Sequence, residues 1–473
     1  MGESTLKVKM RQEKDSLGFR EVPEDVYYGV QTDRAIENFP ISGLKAHPRF
    51  IDAFLVVKKA AAAANARTGL LPARPAQAII QVCDEILSGR LRDQFPVDVF
   101  QMGAGTAFNM NMNEVIANRA NEILGGRRGE YSPINPNDHA NMGQSTNDVF
   151  PTAARIALLF ILKEYLHGSL ESVEKALYEK GREFDGILKS ARTHLQDAVP
   201  IRLGQEFTAY GEAIHKCRYA LLQAEKSLYE LGIGGSAAGT GLNTAPGYRE
   251  TVIEELRKLT GLDLMPARDM REAMQSQRPF AEVSASLRNL ALEVTRIVND
   301  LRLLSSGPMT GFGEIHLPAT APGSSIMPGK VNPSILEMVN MTAFQVIGCD
   351  ATVALAVQAG QLELNVMMPI IAFNLNFAAT VFGNALKVLC QKCLLGITAN
   401  KERCQFYAER SMGLATALNA FIGYAQAAEV VKEAVQSGKT VIQAIRERKI
   451  LSEEEIRKIM DPFKMTEPGI PGK

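Results

Sequence analysis

From Pro151 to Leu395 the chain is dominated by long runs of helical period, separated by stretches crowded with Gly, Ser, Asn and Pro. Apolar residues recur at helical spacing in Pro151 to Leu188, Leu203 to Leu231, Ala281 to Leu304, Ser334 to Val357 and Leu364 to Leu395, whereas strand-like alternation is scarce. Nearer the start, Phe50, Ile51, Phe54, Leu55, Val57 and Lys58 run into Ala60 to Ala64 with the same period. The fold class that follows is mainly α, with helices of a length that suits a central long-helix bundle. The expected breaks are Gly103 to Asn113, Pro133 to Asn147, Gly232 to Pro246 and Gly307 to Pro333. Polar chemistry is to be sought in them.

A chain of 473 residues exceeds one ordinary core and predicts several domains. The shorter helices and loops up to residue 147 suggest an N-terminal domain. The bundle then occupies 148–400, and a composition shift at Ile397 to Asn400 opens a small C-terminal domain at 401–473. Lys+Arg and Asp+Glu balance at 52 each, which gives no electrostatic footprint for nucleic acid. The first residues mix both charge signs without an apolar core, so no targeting segment is expected and the cytoplasm is the expected location. Leu364 to Leu386 carries no charge and is long enough to span a bilayer. Because Asn365, Asn374, Asn376 and Asn384 would be costly in lipid, the segment reads as a buried helix, with no membrane partner. Six scattered cysteines predict reduced thiols.

The densest polar constellation runs from Gly323 to Pro333, GSSIMPGKVNP, just before a long helix. Hydroxyls at Ser324 and Ser325, the charge of Lys330, the amide of Asn332 and backbone N–H groups freed by the glycines suit an anion; a surface loop capping the helix is the competing reading. Two further clusters offer neutral donors: Gly103 to Thr106 with Asn109, Asn111 and Asn113, and Asn135 to His139 with Gln144 to Asp148. Taken singly, each such residue is as readily a helix cap. Thr193-His194-Leu195-Gln196-Asp197 sets an imidazole among apolar neighbours. Paired metal-ligand spacings, a Walker loop, a dinucleotide fingerprint and the Ala-Ser-Gly source of a built-in electrophile are all lacking. No cofactor and no metal is implied.

The 323–333 loop resembles the GSSxMPxKxN signature of the fumarase/aspartase superfamily. The blocks GAGTAFNMNMNEV, PNDHANMGQSTND, THLQDAVP, GTGLN and LELNVM resemble that family in the same order. The resemblance implies three mostly helical domains, with the central bundles of a homotetramer forming a twenty-helix core and each active site shared between three subunits. Gln144-Ser145-Thr146-Asn147, Gly360 to Met367 and Gly396 to Asn400 are similar to the aspartase branch, which implies elimination of ammonium from L-aspartate to give fumarate. The alternative is a class II fumarase interconverting fumarate and L-malate, and a non-catalytic lens-type member is disfavoured because the signature residues are intact.

The same resemblance implies the roles. Ser324, on a flexible Gly-rich loop, is the base that takes the Cβ proton, and the product of that step is an aci-carboxylate. Thr106, Ser145, Thr146 and Ser325 hold the β-carboxylate. Lys330, Asn332 and Thr193 hold the α-carboxylate, Asn147 and His194 face the amino group, and Glu337 supports the His and Lys positions.

Overall fold

A computed structural model describes residues 9–472. The chain divides into two compact units. One comprises the chain up to His167 with Tyr219–Asn289 and Phe344–Phe382; the other comprises Gly168–Arg218, Leu290–Ala343 and Gly383 onward. Helices dominate, as the periodicity predicts, and among the described residues the strands form four small two-stranded sheets.

In the first unit, helix Pro48–Arg67 starts where Pro48 occupies the first turn and His47 Nδ1 accepts from Arg49 N at 3.1 Å. Its Phe50 and Phe54 meet Phe108 of helix Thr106–Ile123 and Phe150 of helix Thr146–Ile161, with ring centroids 4.9–5.9 Å apart. The alanines that follow, buried almost throughout, let neighbouring backbones approach. In the second unit, the hairpin Leu188–Thr193 and Gln196–Arg202 precedes the start of helix Leu203–Glu225, and Phe184 meets Phe207 edge-on at 5.2 Å. A separate apolar cluster of Leu418, Val430, Val441, Ile445 and Ile456 joins the last helices.

Several expected boundaries move, each for a local reason. The break expected over Gly103 to Asn113 is confined to Gly103–Gly105, and Thr106 opens a helix to Ile123. Its asparagines are buried with their amide nitrogens bonded, as Asn111 Nδ2 to Gln94 O at 2.9 Å illustrates, and this burial overrides their weak helix propensity. The helix expected from Pro151 starts at Thr146, because Ser145 and Asp148 form a capping box. It reaches Glu183 through a π-helical segment, Leu162–His167. The Leu203 helix ends at Glu225, and Glu230–Leu231 pairs in parallel with Met265–Pro266. Helix Arg278–Leu304 starts three residues before its expected Ala281.

The uncharged stretch at Leu364 becomes helical only at Met368. Asn365 lies in the preceding turn, donating to Ala356 O and Val357 O at 3.0 Å each and accepting from Met367 N at 2.8 Å. By length and composition Ser334–Gln358 and Met368–Gly396 are both long and apolar enough to cross a membrane; 67% of the most apolar window of the second is buried inside the protein, but only 33% of the first. Met341, Phe344 and Leu355 of the first helix are exposed. All six cysteines are free, and all but Cys217 are buried.

Helix Val30–Asn38 has no capping side chain of its own. Two carboxylates from elsewhere take its orphan N–H groups. Glu114 accepts from Gly29 N, Gln31 N, Thr32 N and Thr32 Oγ1 at 2.6–3.1 Å, and Glu13 accepts from Val30 N at 2.9 Å. Burial outweighs these bonds and lifts the Glu114 carboxyl from 4.5 to about 7. A folded-state value above the unfolded one stabilises fully below pH 4.5 and is lost as pH rises through 7. Glu114→Gln is therefore expected to lower stability at pH 5 and to flatten the decline between pH 5 and 8, a decline of roughly 3 kcal/mol for this group. Thermal melts across that range check it.

Candidate active site

The first unit gathers Ser145, Thr146 and Asn147 at the start of helix Thr146–Ile161. Ser145 Oγ accepts from Asn147 N at 3.2 Å, while Asp148 Oδ1 accepts from Ser145 N at 2.9 Å. Asp148 Oδ2 takes Gly234 N and Ser236 N at 3.0 Å each, and Asn147 Nδ2 donates to Ala237 O at 2.9 Å. The expected break at Gly232 thus folds onto this helix terminus.

Thr146 Oγ1 accepts from Asn109 Nδ2 at 2.9 Å. With that lone pair engaged, the Thr146 hydroxyl proton is free to donate to an incoming oxygen. Asn109 is oriented by Asn141 Oδ1 at 3.2 Å, which also receives Asn113 Nδ2 at 3.2 Å and Lys58 Nζ at 2.9 Å. Lys58 Nζ donates further to Gln144 Oε1 at 3.0 Å. Burial draws the Lys58 ammonium down to about 7 and pushes the Asp148 carboxyl up to about 6. Thr106 follows Gly105, whose φ of +90° and contact with the Phe150 ring leave no room for a side chain. Thr106 opens onto a polar cavity of about 600 Å³ that Gln31, Arg34 and Asn137 also line.

The second unit holds Thr193, His194, Ser324, Ser325, Lys330, Asn332 and Glu337. Thr193 pairs with Gln196, so His194 and Leu195 alone make the hairpin turn, both at positive φ. That conformation costs roughly 1–2 kcal/mol per non-glycine residue. The 323–333 loop closes on itself. Gly323 N donates to Lys330 O at 2.8 Å, and Asn332 Nδ2 donates to Gly323 O at 2.7 Å. Within that ring Ser324 Oγ accepts from Met327 N at 2.9 Å and Ile326 N at 3.2 Å. Ser325 and Lys330 are exposed, and Ile326 is 84% exposed. Glu337, in the first turn of helix Ser334–Gln358, has Arg302 Nη2 as its charged partner at 3.9 Å.

Sequence reasoning passed over Lys58, Asp148 as a structural anchor, and the buried Glu314. Lys58 had a signal: a lysine on the apolar face of an alanine-rich helix must find oxygen inside. Among the described residues no cluster of His, Cys, Asp and Glu is grouped to hold a metal ion.

Residues 18–348 match the lyase family, and residues 414–467 match the fumarase C C-terminus family. The chain belongs to the fumarase/aspartase lyase family. Within it, the chain is 49% identical to an aspartate ammonia-lyase of Bacillus subtilis over 98% of its own length and 97% of the relative's. It is 47% identical to another from Pseudomonas aeruginosa, over 97% and 98% respectively. Among solved structures, a cobalt-bound fumarate lyase:delta crystallin from Brucella melitensis superposes with a TM-score of 0.93 at 47% identity, covering 97% of this chain and all of that one. A class II fumarase from Schistosoma mansoni gives 0.94 at 34% identity, covering 97% and 99%. The helical architecture is thus the lyase family's own.

Asp148 satisfies three backbone N–H groups and completes the capping box. Asp148→Ala is expected to destabilise the protein by at least about 3 kcal/mol, read as a lowered urea midpoint.

Proposed function

We propose that the chain is an aspartate ammonia-lyase, a carbon-nitrogen lyase that reversibly eliminates ammonium from L-aspartate to give fumarate. The observation that carries this reading is the near-full-length identity to enzymes of that name, at 45–49% in several bacteria. The hydroxyl and amide donors described above are the chemistry such a reaction needs.

Removing a proton beside a carboxylate creates a doubly charged aci-carboxylate, and preorganised donors in a water-poor site lower that barrier most. Each such donor contributes about 2.7–4 kcal/mol. In this reading Thr106, Ser145, Thr146 and Ser325 receive the β-carboxylate, and Lys330, Asn332 and Thr193 receive the α-carboxylate. Asn147 and His194 face the amino group, and Glu337 assists the His and Lys positions. Ser324 takes the Cβ proton. The two N–H groups aimed at Ser324 Oγ support its role, because donors to the charged form favour the alkoxide.

The reading includes a cytoplasmic homotetramer whose sites draw on three subunits, with three domains per chain and boundaries near 147 and 400. The exposed apolar residues of helix Ser334–Gln358 support burial against other copies. The chain requires no nucleic acid and no membrane.

Absorbance of fumarate formed from L-aspartate tests the reaction. Fumarate supplied with ammonium should return aspartate; malate from fumarate alone would instead assign a fumarase. Ser324→Ala is expected to abolish turnover while substrate-analogue binding stays within about threefold, because a base acts mainly on the transition state. Lys330→Ala should weaken both, by about 2–5 kcal/mol for a desolvated charge pair, measured by analogue titration and kcat/KM.

A further inference from the structure

A two-residue hairpin turn of type I′ needs left-handed backbone at both positions, and Asn-Gly or paired glycines ordinarily supply it. Here His194 and Leu195 adopt it, with φ of 56° and 58°. Leucine is poorly suited to that region. At 66% exposure, its side chain gains little packing in return. Such a conformation persists where the flanking structure over-determines it.

The flanking structure is a buried cluster of charges. Arg192, next to Thr193, donates from Nη1 to both carboxylate oxygens of Glu314 at 3.0 Å, and its guanidinium lies 4.2 Å from the Phe312 ring centre. Lys189, on the same strand, reaches Glu314 Oε2 at 3.2 Å and Glu206 Oε1 at 2.8 Å. Glu314 is wholly buried, and its main chain is tied down where Asn400 N donates to its carbonyl at 2.8 Å. On the other strand Ser411 Oγ donates to Ala198 O at 2.8 Å, so both arms are held near the turn.

We infer that Glu314, acting through Arg192, and Leu195, through its constrained left-handed backbone, are positioning residues that hold the His194 imidazole in one orientation toward the substrate's amino group. The inference rests on the role of His194 given under Proposed function. Glycine at 195 would enter the turn without strain but would also visit many other conformations. The leucine therefore keeps the turn stiff at the expense of stability.

Leu195→Gly in the full-length enzyme tests this at an exposed position where folding is not at risk. The melting temperature is expected to hold or rise, kcat for L-aspartate to fall about tenfold, and KM to change less than threefold. Glu314→Gln, which keeps the shape but removes the charge, should lower kcat further. In a His194→Ala background, Leu195→Gly should change the residual kcat by less than twofold, since the turn then has no imidazole to aim. A Leu195→Gly enzyme with kcat within twofold of wild type, a lowered melting temperature, or an undiminished tenfold effect without the imidazole would each overturn the inference. Full turnover by His194→Ala alone would instead remove the role of His194 itself, and the inference with it. Loss of turnover in His194→Ala beside an unaffected Leu195→Gly would sink the inference only.

Discussion

An ammonium shut away from water must be ringed with oxygen, and in the first unit Lys58 imposes that requirement on everything near it. Its bonds to Asn141 and Gln144 orient the carbonyl that aligns Asn109 and Asn113, and Asn109 in turn fixes Thr146. Within helix Thr106–Ile123 this chain of donors and acceptors takes up the amide nitrogens of Asn109 and Asn113, while their buried Oδ1 atoms stay without a partner. The helix start at Thr146 is then held from beneath by amides and from outside by Asp148, which binds it to the Gly234 and Ser236 backbone. The hydroxyl of Thr146 and the start of its helix are thus tied to three other segments by hydrogen bonds.

The second unit solves a different problem. Its proposed base sits on a loop with little packing, and order comes from the loop's own hydrogen bonds across Gly323, Lys330 and Asn332. A glycine at 323 is required, since a β-carbon there would press on Asn332 N and Lys330 O at 2.6–2.7 Å. The loop keeps its shape while its outer residues, Ile326 above all, remain in solvent. A charge-anchored hairpin and a self-braced loop thus present His194 and Ser324 in two different ways.

Much of this was legible in the sequence because periodicity and turn chemistry are local. The long helices, the Gly323 to Pro333 loop and the polar run at Gln144 to Asn147 could each be read from neighbours a few residues apart. The misses depend on distant partners. Lys58 finds oxygens at 141 and 144, and Glu314 finds cations at 189 and 192, so neither burial nor partnership is written near the residue itself. The two-residue strands escaped for a related reason: Ile315–His316 and Thr398–Ala399 are too short to alternate. The helix through Asn109 was hidden because propensity argued against it and burial decided.

The π-helical segment Leu162–His167, between helices Thr146–Ile161 and Gly168–Glu183, changes what chain length means in this part of the protein. In an α-helix, adding or removing one residue turns everything downstream by about 100° and would carry Leu170, Val173 and Leu177 off their buried face. Wider turns hold an extra residue, so a shortening confined to these six positions can be absorbed by tightening to α geometry. The segment acts as a slip joint: the loss of a single residue here would leave Leu170, Val173 and Leu177 on their buried face.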